Sequence, residues 1–189
     1  MPVATAPSSG GSFSSVDFIS PDISWVAGAD GIFSTRDGGK HWESQLPGPR
    51  DAVVDIDFPD VHTGFALEPI PDVAGGSRSG GVDFLLTTPD GGQHWQAPYW
   101  TPYRFTDIAF VSATNGWAIG YKQVEDEQGT LFHTDNGGQT WTEALSPANS
   151  VCFGVEKVGW AASSTELKHT IDGGSTWTTF LHEPRAERR

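Results

Sequence analysis

The chain of 189 residues has a formal net charge of −13, and its eight Trp and eleven Phe supply enough apolar surface to exclude a disordered protein. The acidic balance excludes non-specific binding to nucleic acid and to anionic membranes, because both require a basic surface. No apolar run approaches the roughly 20 residues that span a bilayer, so membrane insertion is not expected.

In chain order, residues 1–15 are rich in Ser, Ala and Gly and predict a flexible lead-in. Four units of alternating apolar and polar residues follow, and each predicts four short strands. We expect these units at about 16–50, 51–100, 101–147 and 148–181. The polar tail, residues 182–189, is expected to be a solvated end.

One eight-residue pattern recurs before the last strand of every unit. Thr is followed two positions later by Asp or Asn, then by Gly-Gly, and Trp ends the pattern. The Asp or Asn positions lie 53, 46 and 36 residues apart (37 to 90, 90 to 136, 136 to 172), which matches one four-stranded propeller blade with variable loops. The four octets are Thr35–Trp42, Thr88–Trp95, Thr134–Trp141 and Thr170–Trp177.

The chemistry of the octet is that of a turn. Its carboxylate or amide oxygen can accept backbone N–H groups just ahead of it, and its glycines allow the positive φ that hairpin turns need. The Trp is expected to pack against a neighbouring unit. We therefore interpret these residues as structural and not catalytic: Asp37, Trp42, Asp90, Trp95, Asn136, Trp141, Asp172 and Trp177.

A second pattern precedes each octet, in which an alternating stretch ends in Phe and leads into a Gly- or Ser-aromatic pair. Asp107–Phe110 before Gly116-Trp117 is an example. Together the patterns predict an all-β fold, a β-propeller of four blades with four antiparallel strands each.

The octets resemble the Asp-box, or BNR, repeat of sialidases, sortilin-like receptors and the photosystem II assembly and stability factor family. The whole unit is most similar to the last family, with Phe110 through Trp141 as the best match. The resemblance covers roughly residues 16 to 180. It implies a β-propeller, and it implies a non-catalytic scaffold that binds or stabilises a protein partner.

Propellers of this family have six or more blades, whereas this chain supplies four. It can close as a four-bladed ring, pair with a second copy into an eight-bladed ring, or be a fragment or an open arc. An open arc exposes strand edges and aromatic blade faces. We therefore expect a self-contained or homodimeric assembly.

The enzymatic alternatives fit poorly. A sialidase needs three arginines that together bind a carboxylate. The blades hold four arginines, Arg36, Arg50, Arg78 and Arg104, but Arg36 lies inside an octet at the outer rim. The Phe/Tyr-Arg-Ile-Pro motif is also missing, so the catalytic set cannot be assembled. No acidic pair is singled out by its spacing as a glycosidase pair would be. We therefore assign no catalytic residue and expect no enzyme activity.

Metal and cofactor sites are not expected. His41 and His94 occupy equivalent repeat positions on separate units, which does not bring ligands together around one ion. Asp55, Asp57 and Asp107 are placed on innermost strands where they can face the central channel, either as a cation site or as its solvated lining, and we favour the lining.

The best candidate surface lies where the second turns and the links between units meet. There the chain places residue types that are enriched at binding hot spots: Arg78, Tyr99, Trp100, Tyr103 and Arg104. Trp100 lies outside both repeated patterns, and the alternative is that it only caps the gap between blades. We interpret these five residues as a surface for a protein partner.

The second functional class is a carbohydrate-binding or glycosidase-like module that stacks sugar rings on the same aromatic residues. No cofactor is implied by either class. The start of the sequence lacks the pattern of a signal peptide. The compartment therefore stays open between the cell interior and, if a leader was removed, secretion or the periplasm.

Overall fold

The computed structural model describes residues 12–47, 53–69, 83–122, 126, 128–155 and 157–182. These residues form sixteen β-strands and no helix. The strands are β1 (Phe13–Phe18), β2 (Ser24–Gly28), β3 (Gly31–Thr35), β4 (Glu43–Pro47), β5 (Asp55–Asp57), β6 (Gly64–Pro69), β7 (Asp83–Thr88), β8 (Gln96–Trp100), β9 (Arg104–Phe110), β10 (Gly116–Tyr121), β11 (Thr130–Thr134), β12 (Thr142–Leu145), β13 (Ser150–Val155), β14 (Val158–Ala162), β15 (Glu166–Thr170) and β16 (Thr178–His182).

The strands form four separate antiparallel sheets, each a meander of four strands in chain order. We call them blades 1 to 4, and the first strand of each is its inner strand. The predicted all-β fold of four four-stranded blades is confirmed. Second strands such as β6 and β10 are buried on both faces, because blades pack against both sides of their sheets. This explains why they read as continuous apolar runs.

Blade 1 begins earlier than the sequence predicts. The inner strand β1 starts at Phe13, three residues inside the predicted lead-in. The reason is a pair of contacts to the next blade: Ser14 Oγ donates to the Val53 carbonyl, and Ser15 Oγ donates to Asp55 Oδ1 at 2.7 Å. The lead-in before residue 12 and the tail after His182 lie outside the described residues.

Each octet folds into the same turn. In the first, Asp37 Oδ1 accepts the His41 N–H at 2.9 Å and the Thr35 hydroxyl at 3.0 Å, while Thr35 Oγ1 accepts the Gly39 N–H at 2.9 Å. Both glycines of every octet have positive φ, between 70° and 96°. In the third octet Asn136 Oδ1 accepts the Thr140 N–H at 3.0 Å, so the amide oxygen replaces the carboxylate in this bond.

Neighbouring blades are joined by stacked aromatic rings. In blades 2 to 4, a Phe at or near the end of the inner strand lies flat on the aromatic residue at the second position of the second strand of the preceding blade. The three stacked pairs are Trp25–Phe58 (3.8 Å between ring centroids), Phe65–Phe110 (3.5 Å) and Trp117–Phe153 (3.6 Å). The octet Trp then meets the edge of the same Phe, as Trp141 does with Phe110.

The contacts between blades run from blade 1 to 2, 2 to 3 and 3 to 4. Within the part of the chain that the structure describes, no hydrogen bond or ring contact joins blade 4 to blade 1. A closed four-bladed ring would require such a junction. In the described residues, the chain is therefore an arc of four blades in which no further sheet packs on the outer side of blade 1 or of blade 4.

The stacked Phe residues leave no room beside them, which gives a first prediction. A Cβ at Gly116 would lie 2.3 Å from the ring of Phe110, and that ring is held by Phe65. We expect Gly116→Ala to destabilise the chain by about 1–3 kcal/mol and to lower Tm by several degrees.

The matched control is Gly154→Ala, since a Cβ at Gly154 meets nothing within 4 Å. Thermal unfolding followed by circular dichroism measures both variants. Equal Tm values for the two would contradict the stacking argument.

Candidate functional site

The meander gives the arc two faces. The octets, which are the third turns, lie on one face together with the first turns; we call it the octet face. The second turns and the links between blades, including residues 101–103 and 146–149, lie on the other, the link face. The predicted partner surface belongs to the link face.

Trp100 is the most prominent side chain on the link face. It ends β8 opposite Phe84 and leans against that ring, with 4.7 Å between centroids. One side of the indole is thereby supported, yet 62% of the side chain remains exposed. Trp100 therefore does more than cap a gap between blades: it presents a supported, open aromatic surface.

The link that follows Trp100 is held in a fixed conformation. Thr101 is buried, and its hydroxyl donates to the Tyr103 carbonyl at 2.7 Å. The Tyr103 ring stacks on Phe132 of blade 3, with 4.8 Å between centroids. The position of Tyr103 is thus set by packing rather than by a free loop.

Arg104 begins β9 directly opposite Tyr121 and is exposed. Among the described residues its side chain makes no ion pair. The neighbouring Lys122, in contrast, is paired with Glu143, and this carboxylate raises the pKa of the lysine. Arg104 is therefore an exposed cation with no ion-pair partner among the described residues of an acidic protein.

The predicted residues are arranged as a strip and not as one cluster. Trp100 rests on Phe84 at the junction of blades 1 and 2, and Tyr103 packs at the junction of blades 2 and 3. Arg104 lies opposite Tyr121, which packs at the junction of blades 3 and 4. We call Trp100, Tyr103 and Arg104 the link-face strip.

Two predicted members are not part of this strip. Tyr99 precedes Trp100 on β8, and consecutive strand residues point to opposite sides of a sheet. Tyr99 is half-buried beside Leu85. Arg78 lies outside the described residues.

The carboxylates of the inner strands connect blades. Each accepts a hydrogen bond from a backbone N–H of the next blade, so these bonds join successive blades on the channel side of the arc. The bonds are Asp17 to Phe58 N (2.7 Å), Asp55 to Ile108 N (2.9 Å), Asp57 to Phe110 N (2.7 Å) and Asp107 to Val151 N (3.1 Å). Sequence reasoning placed three of them near the channel and did not foresee this role.

Burial dominates the titration of these groups. It raises the pKa of Asp57 to about 8, against the opposing effect of the Phe110 N–H, and neighbouring carboxylates add to the rise. Burial also raises the pKa of Asp55 to about 6. The pKa values of Asp17 and Asp107 shift in the same direction for the same reason. A proton on Asp57 is thus favoured near neutral pH.

An open cavity of about 320 Å³ lies on the octet face, where the inner strands end. Its walls include Phe58, Phe110 and Phe153 together with Asp17 and Asp57. Sequence reasoning missed it, although the Phe repeated at the end of each alternating stretch was the available signal. The two carboxylates that line it are already engaged with backbone N–H groups.

The octet carboxylates differ from the channel carboxylates. The His41 side chain, 2.5 Å from Asp37 Oδ2, lowers the pKa of that carboxyl to about 2. Asp90 has the same relation to His94. Each histidine therefore contacts the carboxylate of its own octet.

The described residues contain no group of three or more His, Cys, Asp or Glu side chains placed to hold a metal ion. In the same ranges, no helix is long and apolar enough to cross a membrane.

Comparison with known proteins identifies the fold. Neither a protein-family model nor a curated protein matches the chain. Among solved structures, YCF48 bound to a D1 peptide is 18% identical, with a TM-score of 0.58 over 93% of this chain. A GH74 xyloglucanase from Xanthomonas campestris is 14% identical, with a TM-score of 0.58 over 88% of this chain. A gluconolactonase from Xanthomonas campestris is 13% identical, with a TM-score of 0.57 over 86% of this chain.

The match covers only part of each of these proteins. The chain spans 55% of the YCF48 structure, 29% of the xyloglucanase and 59% of the gluconolactonase. The likeness shows that the four sheets are β-propeller blades.

The raised pKa of Asp57 predicts a pH-dependent stability. Between its ordinary value of 3.8 and about 8, the folded chain holds a proton that the unfolded chain has lost. This group therefore lowers the free energy of unfolding as pH rises through that window. Asp57→Asn removes the charge and keeps an oxygen that can accept the Phe110 N–H.

We expect the Tm of Asp57→Asn, relative to wild type, to rise by several degrees between about pH 5 and about pH 8. Asp172→Asn is the control, because hydrogen bonds from Thr176 and Thr170, and not from a histidine, lower the pKa of the Asp172 carboxyl to about 2, so its effect should not change in that range. A constant Tm difference for Asp57→Asn would show that burial does not control this carboxyl.

Proposed function

We propose that this chain is a non-catalytic β-propeller scaffold that binds a protein partner through the link-face strip. The observation that carries the proposal is Trp100, which contacts Phe84 on one side of its ring and is 62% exposed as a residue. Trp, Tyr and Arg are the residue types most enriched at binding hot spots. The strip contains one of each.

The layout of the strip favours an extended partner segment. Trp100 and Tyr103 lie at successive blade junctions and Arg104 follows Tyr103 at the start of β9, so a single extended segment can contact them in turn. Tyr103 is fixed by Phe132 and by the Thr101 hydrogen bond. Such preorganised contacts reduce the entropy lost on binding.

The charge of this chain restricts which side chains a partner segment can carry. Most of the surface of a chain with a net charge of −13 repels acidic segments. Arg104 offers a local cation without a described ion-pair partner, suited to a carboxylate or to an aromatic ring. We therefore infer a partner segment that combines apolar or aromatic groups with at least one acidic group.

The resemblance to the assembly-factor family and the structural likeness to YCF48 bound to a D1 peptide support a peptide-binding role. The absence of catalysis is part of the proposal. It is supported by the channel carboxylates, which are used in hydrogen bonds between blades.

A carbohydrate-binding role is the second candidate. An exposed indole is a suitable platform for a sugar ring, and a GH74 xyloglucanase shares the fold. This candidate predicts that Trp100 alone matters, whereas a protein partner also needs Arg104.

The test is a pull-down from the source lysate with wild type and a Trp100→Ala/Arg104→Ala variant. Truncating hot-spot side chains costs about 2 kcal/mol, or roughly 30-fold in affinity, so the variant should lose the partner. Ile171→Ala/Lys40→Ala is the matched control, since it removes an exposed apolar and an exposed basic side chain from the octet face.

A partner retained by a folded Trp100→Ala/Arg104→Ala variant would reject the strip as its binding surface. Specific binding to a glycan array, abolished by Trp100→Ala and unaffected by Arg104→Ala, would favour the carbohydrate role. Hydrolysis of chromogenic glycosides would reject the non-catalytic part of the proposal.

A further inference from the structure

The first end of the arc is an uncovered blade face. Phe18, at the end of β1, corresponds to the stacked Phe58 of blade 2, and Val16 corresponds to Ile56. Phe58 and Ile56 are 5% and 3% exposed, whereas Phe18 and Val16 are 71% and 66% exposed. The same repeat positions are therefore buried inside the arc and open at its first end.

The octet glycines show the same difference. A Cβ at the second glycine of an internal octet would touch the preceding blade: Gly138 meets Leu85, and Gly174 meets Trp117. At Gly39 of blade 1, among described residues, only Trp42 of the same octet lies within 4 Å. Among the described residues, no preceding blade covers blade 1 at its inner strand or at its octet.

The other end of the arc is blade 4. It presents the surface that, at the internal junctions, receives the Phe of the following blade. Trp160 corresponds to Trp25 and Trp117, which are fully buried and stack on a Phe of the next blade. Trp160 is only half-buried, and its ring contacts come from His169 and Phe180 of its own blade.

A second position on this face leads to the same conclusion. Cys152 on β13 corresponds to Asp57, whose carboxylate reaches the Phe110 N–H of the next blade, and to Ala109, which is buried. Cys152 is exposed. Blade 4 therefore presents the side of a junction that normally receives the Phe of a following blade.

The two end faces fit each other in chemistry. The residues that identify them are uncharged on both sides: Val16, Phe18, Gly39, Cys152, Trp160 and Phe180. These six positions therefore bring no charge of their own to such a junction. Apolar faces of this kind are rarely left exposed by stable proteins.

We propose that the two end faces bind a second copy of this chain, with blade 4 of one copy packed on blade 1 of the other. In this junction Phe18 of one copy stacks on Trp160 of the other, which repeats the contact of Phe58 with Trp25. A two-fold arrangement forms this junction twice and leaves no end uncovered, because a head-to-tail contact that closes gives a ring. The product is a ring of eight blades.

The first measurement is the solution mass of wild type by light scattering coupled to size exclusion. Twice the 20.3 kDa chain mass is expected. Phe18→Asp places an unpaired charge in the junction from one side, and Cys152→Arg does so from the other. Both positions are exposed in the single chain, so each variant should fold and run as a monomer.

Mixing the Phe18→Asp and Cys152→Arg variants provides the specific test. One junction of the mixed pair is then wild type, and the other sets the arginine introduced in one chain near the aspartate introduced in its partner. We expect the mixture to regain the dimer mass that each variant lacks alone. Trp100→Asp is the control: it changes an exposed aromatic residue on blade 2, away from both ends, and should keep the dimer mass.

A wild-type mass of 20.3 kDa would overturn a second copy as the occupant and assign the end faces to further blades or to another protein. Dimers that persist in both Phe18→Asp and Cys152→Arg would overturn the location of the interface. A monomeric Trp100→Asp, or a mixture that stays monomeric, would do the same.

Discussion

This structure depends on one stacked contact, repeated at each junction between blades. A Phe at or near the end of an inner strand lies on the aromatic residue near the start of the second strand of the preceding blade. Each such Phe ring also lies over a glycine of its own blade, Gly64 beside Phe58 and Gly116 beside Phe110, where a Cβ would clash. The octet Trp of the same blade then makes an edge-on contact with this Phe ring. The inner-strand Phe, its stacked aromatic partner and the octet Trp recur at each internal junction, so the same packing arrangement joins all four blades.

The channel carboxylates add direction to this packing. Asp17, Asp55, Asp57 and Asp107 each accept a backbone N–H of the following blade, so a junction is both stacked and hydrogen-bonded. Their burial is costly for a charge, which is why their pKa values rise while those of the octet carboxylates fall. The same residue type thus serves two purposes: joining blades near the channel and shaping turns at the outer edge.

Much of the fold is predictable from sequence because turn chemistry and strand alternation are local. The octets of Thr35–Trp42 and its equivalents locate four turns, and the alternating stretches locate the inner strands. The start of β1 at Phe13 was missed, because Ser14 and Ser15 are held by contacts to blade 2 that no local pattern encodes. Which side of the sheet Tyr99 and Trp100 each face likewise depends on the register of β8. The open cavity depends on how the inner strands of different blades come together.

The octet hydrogen bonds also bear on how the chain acquires its structure. Every bond within an octet, such as Asp37 with His41 or Thr35 with Gly39, spans four residues or fewer. Closing so short a loop costs little entropy and is fast. During synthesis, each outer hairpin can therefore form as soon as it leaves the ribosome. The ring stacks, which join residues more than thirty positions apart, must wait for the next blade, so assembly proceeds from many small hairpins to a few long-range contacts.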